Sequence, residues 1–171
     1  GADGSVWFGT RRGAIRFQNG VWAYRQGLRW LPDDNVRAIY VQADGTAWFA
    51  TAAGVGCIER RNLTLAEKAA FYEQQIDQLH KRTPYGYVNA VTAKTPGDTS
   101  EVVQHSSDND GLWTSMYGAS QCLAVAVTGS DDARQRAKQA FEGLRFLQVV
   151  TQGSKHSPPP GFVARSILPA D

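Results

Sequence analysis

Apolar and polar residues alternate along the first 61 residues of the chain, which is the pattern of half-buried β-strands. Alternating stretches at 14–18, 21–24 and 36–41 are separated by Gly, Asn and Asp residues that favour tight turns. A Trp-Phe stretch follows each of the turn dipeptides Asp3-Gly4 and Asp44-Gly45. The pattern predicts four antiparallel strands in each cycle of the chain.

After Asn62 the apolar period lengthens to three and four residues, which predicts helices. We expect the first helix from Leu65 to Arg82 and the third from Ser130 to about Thr151, and both are amphipathic. The second helix, from Gly111 to Thr128, is apolar nearly all round, so it is predicted to be buried on most sides. Residues 84–108 are rich in Pro, Gly, Ser and Thr, and are predicted to form a long irregular connection that acts as a lid or as a wall of a cleft.

The opening of the chain contains an internal repeat. The stretch Asp3–Thr10 returns as Asp44–Thr51, a displacement of 41 positions. This is the length of one four-stranded propeller blade, and a propeller closes with about four to eight blades. Because the pattern covers about one and a half blades, we expect a fragment of a larger protein whose remaining blades are its structural partners.

Residues 3–17 resemble the two-component regulator propeller repeats of bacterial extracytoplasmic sensor proteins, which read DGxxWxGTxxGLxxF. Residues 44–58 match this motif more loosely, since Ala50 replaces its Gly and Gly56-Cys57 interrupts the strand. The resemblance implies a β-propeller, a periplasmic or secreted location, and recognition of a ligand, which we expect to be a carbohydrate.

The second half resembles the start of an α/α-toroid domain. The resemblance rests on a buried helix joined by two residues to an amphipathic one, on Asp-Asn-Asp-Gly-Leu-Trp at 108–113, and on the stretch 161–166. The expected fold is therefore mixed: a partial propeller in residues 1–61, then an all-α, helical-hairpin segment in residues 62–171. Because toroids commonly need about six helix pairs, this segment is also expected to be partial, with further helices as its partners.

Composition narrows the function classes. The net charge is only +2 over 171 residues and the basic residues are scattered, which argues against nucleic-acid binding. No apolar run reaches the ~18 residues of a membrane span. Cys57 and Cys122 are the only cysteines and form no disulfide framework or metal-ligand spacing.

The densest polar cluster precedes the second predicted helix and comprises His105, Asp108, Asn109 and Asp110. Carboxylates at a helix N-terminus are stabilised by the helix dipole, which suits them as bases or charge stabilisers. One of the two acids can simply be the N-cap, although two carboxylates and an amide exceed what capping requires. They would also suit Ca²⁺, but the rest of an EF-hand loop is missing, and no other cofactor is predicted.

The toroid resemblance implies two sets of candidate catalytic residues. Hydrolases of this kind use paired acids, here Asp108 with Asp110, whereas lyases combine Asn, His, Tyr and Arg. The residues available for the second set are Asn109, His105, Tyr117 and Arg165. Trp113 would serve as a platform for a sugar ring, and the planar fork of Arg165 would bind a substrate carboxylate.

Two functions therefore remain open at this point. The helical half is a glycoside hydrolase or polysaccharide lyase that acts on acidic or unsaturated oligosaccharides, or the whole chain is a non-enzymatic, ligand-binding sensor module.

Overall fold

The chain folds into two compact units. The computed structural model describes residues 1–105 and 108–168. The first unit comprises Gly1–Thr64 and Ala93–Glu101, and the second comprises Leu65–Thr92 and the chain from Val102 onward. The predicted mixed architecture, with antiparallel strands followed by helices, is confirmed at this level.

The first unit contains two three-stranded antiparallel sheets, ordered β1-β2-β3 and β4-β5-β6. Their strands are β1 Val6–Thr10, β2 Gly13–Gln18, β3 Val21–Arg25, β4 Val36–Val41, β5 Ala47–Thr51 and β6 Gly54–Ile58. All four strands predicted for one cycle are present. The break between the sheets falls after β3, since β4 pairs with β5.

The sequence repeat is also a repeat of hydrogen bonds. The Thr10 hydroxyl donates to the Gly13 carbonyl at 2.8 Å, and the Thr51 hydroxyl donates to the Gly54 carbonyl at 2.8 Å. Both glycines have positive φ, and a Cβ on Gly13 would lie 2.5 Å from the carbonyl oxygen of Arg25. Thr and Gly at these spacings therefore specify the same tight hairpin twice.

The core of the first unit lies between its two sheets. Trp7 of β1 packs edge-on against Phe49 of β5, with ring centroids 5.2 Å apart. Phe49 is fully buried, whereas its repeat counterpart Phe8 is 44% exposed; Trp48, the counterpart of Trp7, is 39% exposed. The face of the first sheet that carries Trp7 thus covers the face of the second sheet that carries Phe49. The opposite faces, which carry Phe8 and Trp48, lie on the outside. The buried core residues are Ala14, Leu31, Val36, Ala47 and Phe49.

Helices dominate the second unit. Its elements, with a hairpin that both units share, are α1 Leu65–Gln75, a π-helical turn Ile76–His80, β7 Lys81–Arg82, β8 Tyr87–Val88, β9 Val91–Thr95, β10 Asp98–Gln104, α2 Asp110–Thr128 and α3 Asp131–Val149. The connection between α2 and α3 is short because Gly129 ends α2 in the left-handed conformation and Ser130 caps α3 through the Ala133 N–H. The predicted helical hairpin is confirmed.

Three expectations for this region were wrong. Helical structure ends at His80 because Lys81–Arg82 pair with Tyr87–Val88. The segment predicted to be irregular contains the β9–β10 hairpin, which turns at Pro96-Gly97 with a positive φ at the glycine. Helix α2 is not buried on most sides: its buried residues are Asp110, Thr114, Tyr117 and Gln121, while Val127 is 86% exposed. Its composition indicated apolarity but not which side of the helix is covered.

A search of the described helices finds none that is long and apolar enough to cross a membrane.

Asp3 generates a prediction about acid stability. Its carboxylate accepts hydrogen bonds from the Ser5 hydroxyl (2.6 Å) and the Ser5 N–H (3.0 Å), and it lies 3.4 Å from Arg16. The bonds from Ser5, with a smaller effect of Arg16, lower the pKa of Asp3 to about 2. The stabilisation is therefore complete above the ordinary Asp pKa near 3.8 and is lost as the pH falls toward 2.

We expect Asp3→Asn to lower the free energy of unfolding by about 1 kcal/mol at pH 7, and by much less at pH 2. Urea unfolding at both pH values measures this difference. Asp44→Asn is the matched control, because Asp44 occupies the same repeat position but accepts only the bond from the Thr46 N–H, at 2.9 Å, within the described residues. An Asp3→Asn effect of equal size at both pH values would contradict the assignment.

Candidate functional site

Asp110 is the first residue of α2 and is fully buried. The N-cap is Asn109, whose side chain makes no capping hydrogen bond, so neither aspartate is the N-cap. The interpretation of Asp108 or Asp110 as a simple cap is therefore wrong.

The Asp110 carboxylate is held by three side chains. The Asn89 amide donates to Oδ1 at 2.7 Å, the Ser166 hydroxyl donates to Oδ2 at 2.7 Å, and Arg82 forms an ion pair with Oδ2. Arg82 also donates from Nη1 to the Ile167 carbonyl at 2.9 Å. We call Arg82, Asn89, Asp110 and Ser166 the Asp110 clasp. It joins β7, the residue after β8, the start of α2 and the C-terminal segment.

Burial makes this clasp sensitive to the loss of any partner. Arg82 is 7% exposed, and its Nε is buried without a hydrogen-bond partner among the described residues. Close by, burial, followed by the charge of Asp110, raises the pKa of Tyr87 to about 12. The Tyr87 hydroxyl donates to the Gly143 carbonyl of α3 at 2.7 Å. The polar groups here thus hold secondary-structure elements together.

Asp108 is in a different environment, although it lies only two residues away. It is exposed, and its Oδ2 lies 3.6 Å from Nη1 of the equally exposed Arg165. Arg165 also donates from Nε to the Asp108 carbonyl at 3.2 Å. The structure therefore brings together two of the predicted site residues in a solvated ion pair.

Asn109 and Trp113 lie one helical turn apart, and the Trp113 N–H donates to the Asn109 carbonyl at 3.0 Å. The Trp113 side chain is 43% exposed. His105 follows β10 and shares a hydrogen bond of 2.9 Å with the Thr92 hydroxyl. We call Asp108, Asn109, Trp113 and Arg165 the α2 N-terminal surface; residues 106–107, between His105 and this surface, lie outside the described residues.

Tyr117 belongs to a separate network on α1, α2 and α3. Its hydroxyl donates to Glu73, which also accepts a bond of 2.7 Å from Gln121 and an ion pair of 3.1 Å from Arg136. Burial, followed by the hydrogen bond to Glu73 and its charge, raises the pKa of Tyr117. These residues line a groove of about 560 Å³. A tyrosine held in its protonated form here is a poor proton acceptor.

No cluster of three or more His, Cys, Asp or Glu residues suited to a metal ion occurs in residues 1–105 and 108–168. The Asp-Asn-Asp motif that suggested Ca²⁺ is split, because Asp110 is buried in the clasp and Asp108 is exposed. Asp108 and Asp110 therefore do not share one site, and Ca²⁺ binding stays a prediction.

Several residues important to this region were missed at the level of sequence. Arg82, Asn89, Glu73 and Arg136 carried no motif, and they meet α2 only after folding. Arg165 was selected from the stretch 161–166, but its neighbour Ser166, which reaches the buried carboxylate, was not.

Comparison of the chain with protein-family models, with curated proteins and with solved structures finds no match.

The two acids should respond differently to the same substitution. We expect Asp110→Asn to lower the free energy of unfolding by about 3–5 kcal/mol, because it leaves the buried Arg82 charge without a counter-ion. Asp108→Asn removes an exposed ion pair and is expected to change it by less than about 0.5 kcal/mol. Urea unfolding of both variants tests the contrast, and equal effects would contradict the clasp.

Proposed function

We propose that this chain belongs to an extracytoplasmic, carbohydrate-recognising protein, and that the helical unit binds an acidic sugar at the α2 N-terminal surface. The observation that carries the proposal is the solvated pair of Asp108 with Arg165 at the start of α2, the helix whose first turn carries the exposed Trp113. An exposed ion pair contributes little to stability, so a ligand carboxylate can replace Asp108 on the guanidinium at small cost. The indole then offers an apolar face to the ring of the sugar.

The propeller part of the proposal is supported by the arrangement of the first unit. Its two sheets share one hairpin geometry, and they stack with Trp7 on Phe49. The first sheet leaves its Phe8 face exposed, and the second leaves its Trp48 face exposed. Such a stack can be extended in both directions by sheets of the same repeat, as in a propeller. The α2–α3 hairpin has a two-residue connection, like that of the helix pairs that repeat in a toroid.

Binding is favoured over glycoside hydrolysis by the state of the second acid. Hydrolysis by paired carboxylates needs both groups at the glycosidic bond, separated by about 5–9.5 Å. Asp110 has both oxygens occupied within a fully buried ion pair, which leaves Asp108 alone at the surface. A lyase mechanism that uses Tyr117 as its base is disfavoured by the raised pKa of that residue.

Binding can be measured by calorimetry with oligogalacturonate as the acidic probe and a neutral cello-oligosaccharide for comparison. We expect Arg165→Gln to weaken oligogalacturonate binding by about tenfold, since it removes a bidentate, charge-assisted contact. Trp113→Ala should weaken it as well. Arg145→Gln is the matched control, because Arg145 is also an exposed arginine in an ion pair, with Glu142 at 2.7 Å.

The enzymatic alternative gives a different result in the same material. The chain would be an enzyme at this site if it cleaved oligogalacturonate and if Asp108→Asn abolished the cleavage without changing the melting temperature. Binding that is unaffected by Arg165→Gln would overturn the assignment of the site.

A further inference from the structure

A pocket lies within the first unit. Its volume is about 260 Å³, and its lining includes two tryptophans, Trp7 and Trp30, and three arginines, Arg16, Arg25 and Arg60. Ligand sites for drug-sized molecules start at about 300 Å³, so this pocket matches a ligand of a single ring. One acidic residue, Glu59, also lines it, and that carboxylate is paired with Arg61 at 2.9 Å.

Two of the arginines of this pocket lie against its indoles. The Arg25 guanidinium lies 4.4 Å from the centroid of the Trp30 ring, and that of Arg16 lies 5.9 Å from the Trp7 ring. Trp7 is itself fixed by its edge-on contact with the buried Phe49. A guanidinium held against an aromatic ring by cation–π attraction keeps its N–H donors available at the edge of its plane.

Arg25 has N–H donors that bind no acceptor within the described residues. Its Nη1 donates to the Tyr24 carbonyl at 2.9 Å, and its Nε is buried without a hydrogen-bond partner. Within the described residues it forms no ion pair, whereas Arg16 and Arg60 both approach Asp3. The edge formed by Nε and Nη2 is the one that presents two parallel N–H donors to a carboxylate.

Trp7, which also lines the pocket, carries a second donor without a partner. Its Nε1 is buried and has no hydrogen-bond partner among the described residues. Buried N–H groups are nearly always paired in folded proteins, and a group without a partner destabilises the fold. Trp7 and Arg25 both line this pocket and each carries such a group, which favours an acceptor that is supplied from outside the chain.

We propose that this pocket binds a small, single-ring carboxylate, with its carboxylate on the Nε–Nη2 edge of Arg25 and the Trp7 Nε1–H donating to a ligand oxygen. Three arginines line the pocket against the carboxylates of Glu59 and the neighbouring Asp3, and this excess of positive charge favours an anion over a neutral molecule. A sugar acid and an aromatic acid share this chemistry, and the probes below distinguish them. The proposed site shares no residue with the α2 N-terminal surface.

Calorimetry on the chain carrying Arg165→Gln tests the proposal, because this background weakens binding at the α2 N-terminal surface. The probes are glucuronate, benzoate and the neutral glucose. We expect a carboxylate to bind about tenfold or more tightly than glucose. Preference for glucuronate would identify a sugar acid as the ligand, and preference for benzoate an aromatic acid. Failure of both to bind would overturn the proposal.

Substitutions then locate the contacts. Arg25→Gln should weaken binding by about tenfold or more, and Arg25→Lys should lose most of the affinity because an ammonium keeps the charge but not the fork. Trp7→Phe should weaken it several-fold through loss of the Nε1–H alone. Trp48→Phe, at the repeat position of Trp7 but on the outer face, and Arg12→Gln, in an exposed turn, should leave binding unchanged.

Full affinity in Arg25→Lys would show that charge alone attracts the ligand and would overturn the bidentate contact. This variant also decides the matter if Arg25→Gln fails to fold, as judged by circular dichroism. Equal binding by Trp7→Phe and Trp48→Phe would remove Trp7 from the site.

Discussion

The helical unit depends on one carboxylate that is removed from water at the start of α2. An ionised Asp110 loses its hydration there, and the loss would be strongly destabilising if nothing replaced it. Arg82, Asn89 and Ser166 replace it from three other segments of the chain. Those segments are therefore held around the first turn of α2. Asp108, two residues before Asp110, takes its position on the surface from this buried anchor.

The sheet unit shows how one repeated sequence yields both buried and exposed aromatic residues. Trp and Phe are adjacent in each repeat, so they point to opposite faces of their sheet. Trp7 and Phe49 meet between the two sheets, whereas Phe8 and Trp48 lie on the outside. Phe8 contacts Trp22 on its own sheet, with ring centroids 5.9 Å apart. An outer face this apolar is what a stacked neighbour normally covers, in agreement with the proposed propeller.

Local patterns were sufficient to predict much of this fold. The turn dipeptides and the Ser130 cap act over a few residues, and the repeat displaced by 41 positions shows the same local pattern twice. The strands, the tight hairpins and the α2–α3 connection follow from these patterns. The β9–β10 hairpin was missed because its Thr-rich strands were interpreted as loop. Asp110 was selected from the Asp-Asn-Asp motif, but its pairing could not be predicted, because Arg82 lies 28 positions away and carries no motif. The periodicity of apolar residues carries no information about which distant polar side chains pair.

Three arginines show why candidate sites need the folded structure. Arg82 is buried and paired with Asp110, so its charge is committed to the fold. Arg165 is paired as well, but in water, where a ligand can exchange with Asp108. Arg25 has no acidic partner within the described residues and stacks on Trp30 with an N–H unused. An arginine thus holds the fold together, exchanges its acidic partner for a ligand, or has a donor free for a ligand, depending on its partner and its access to water. Ligand recognition is therefore expected at the second and third of these arginines, not at the first.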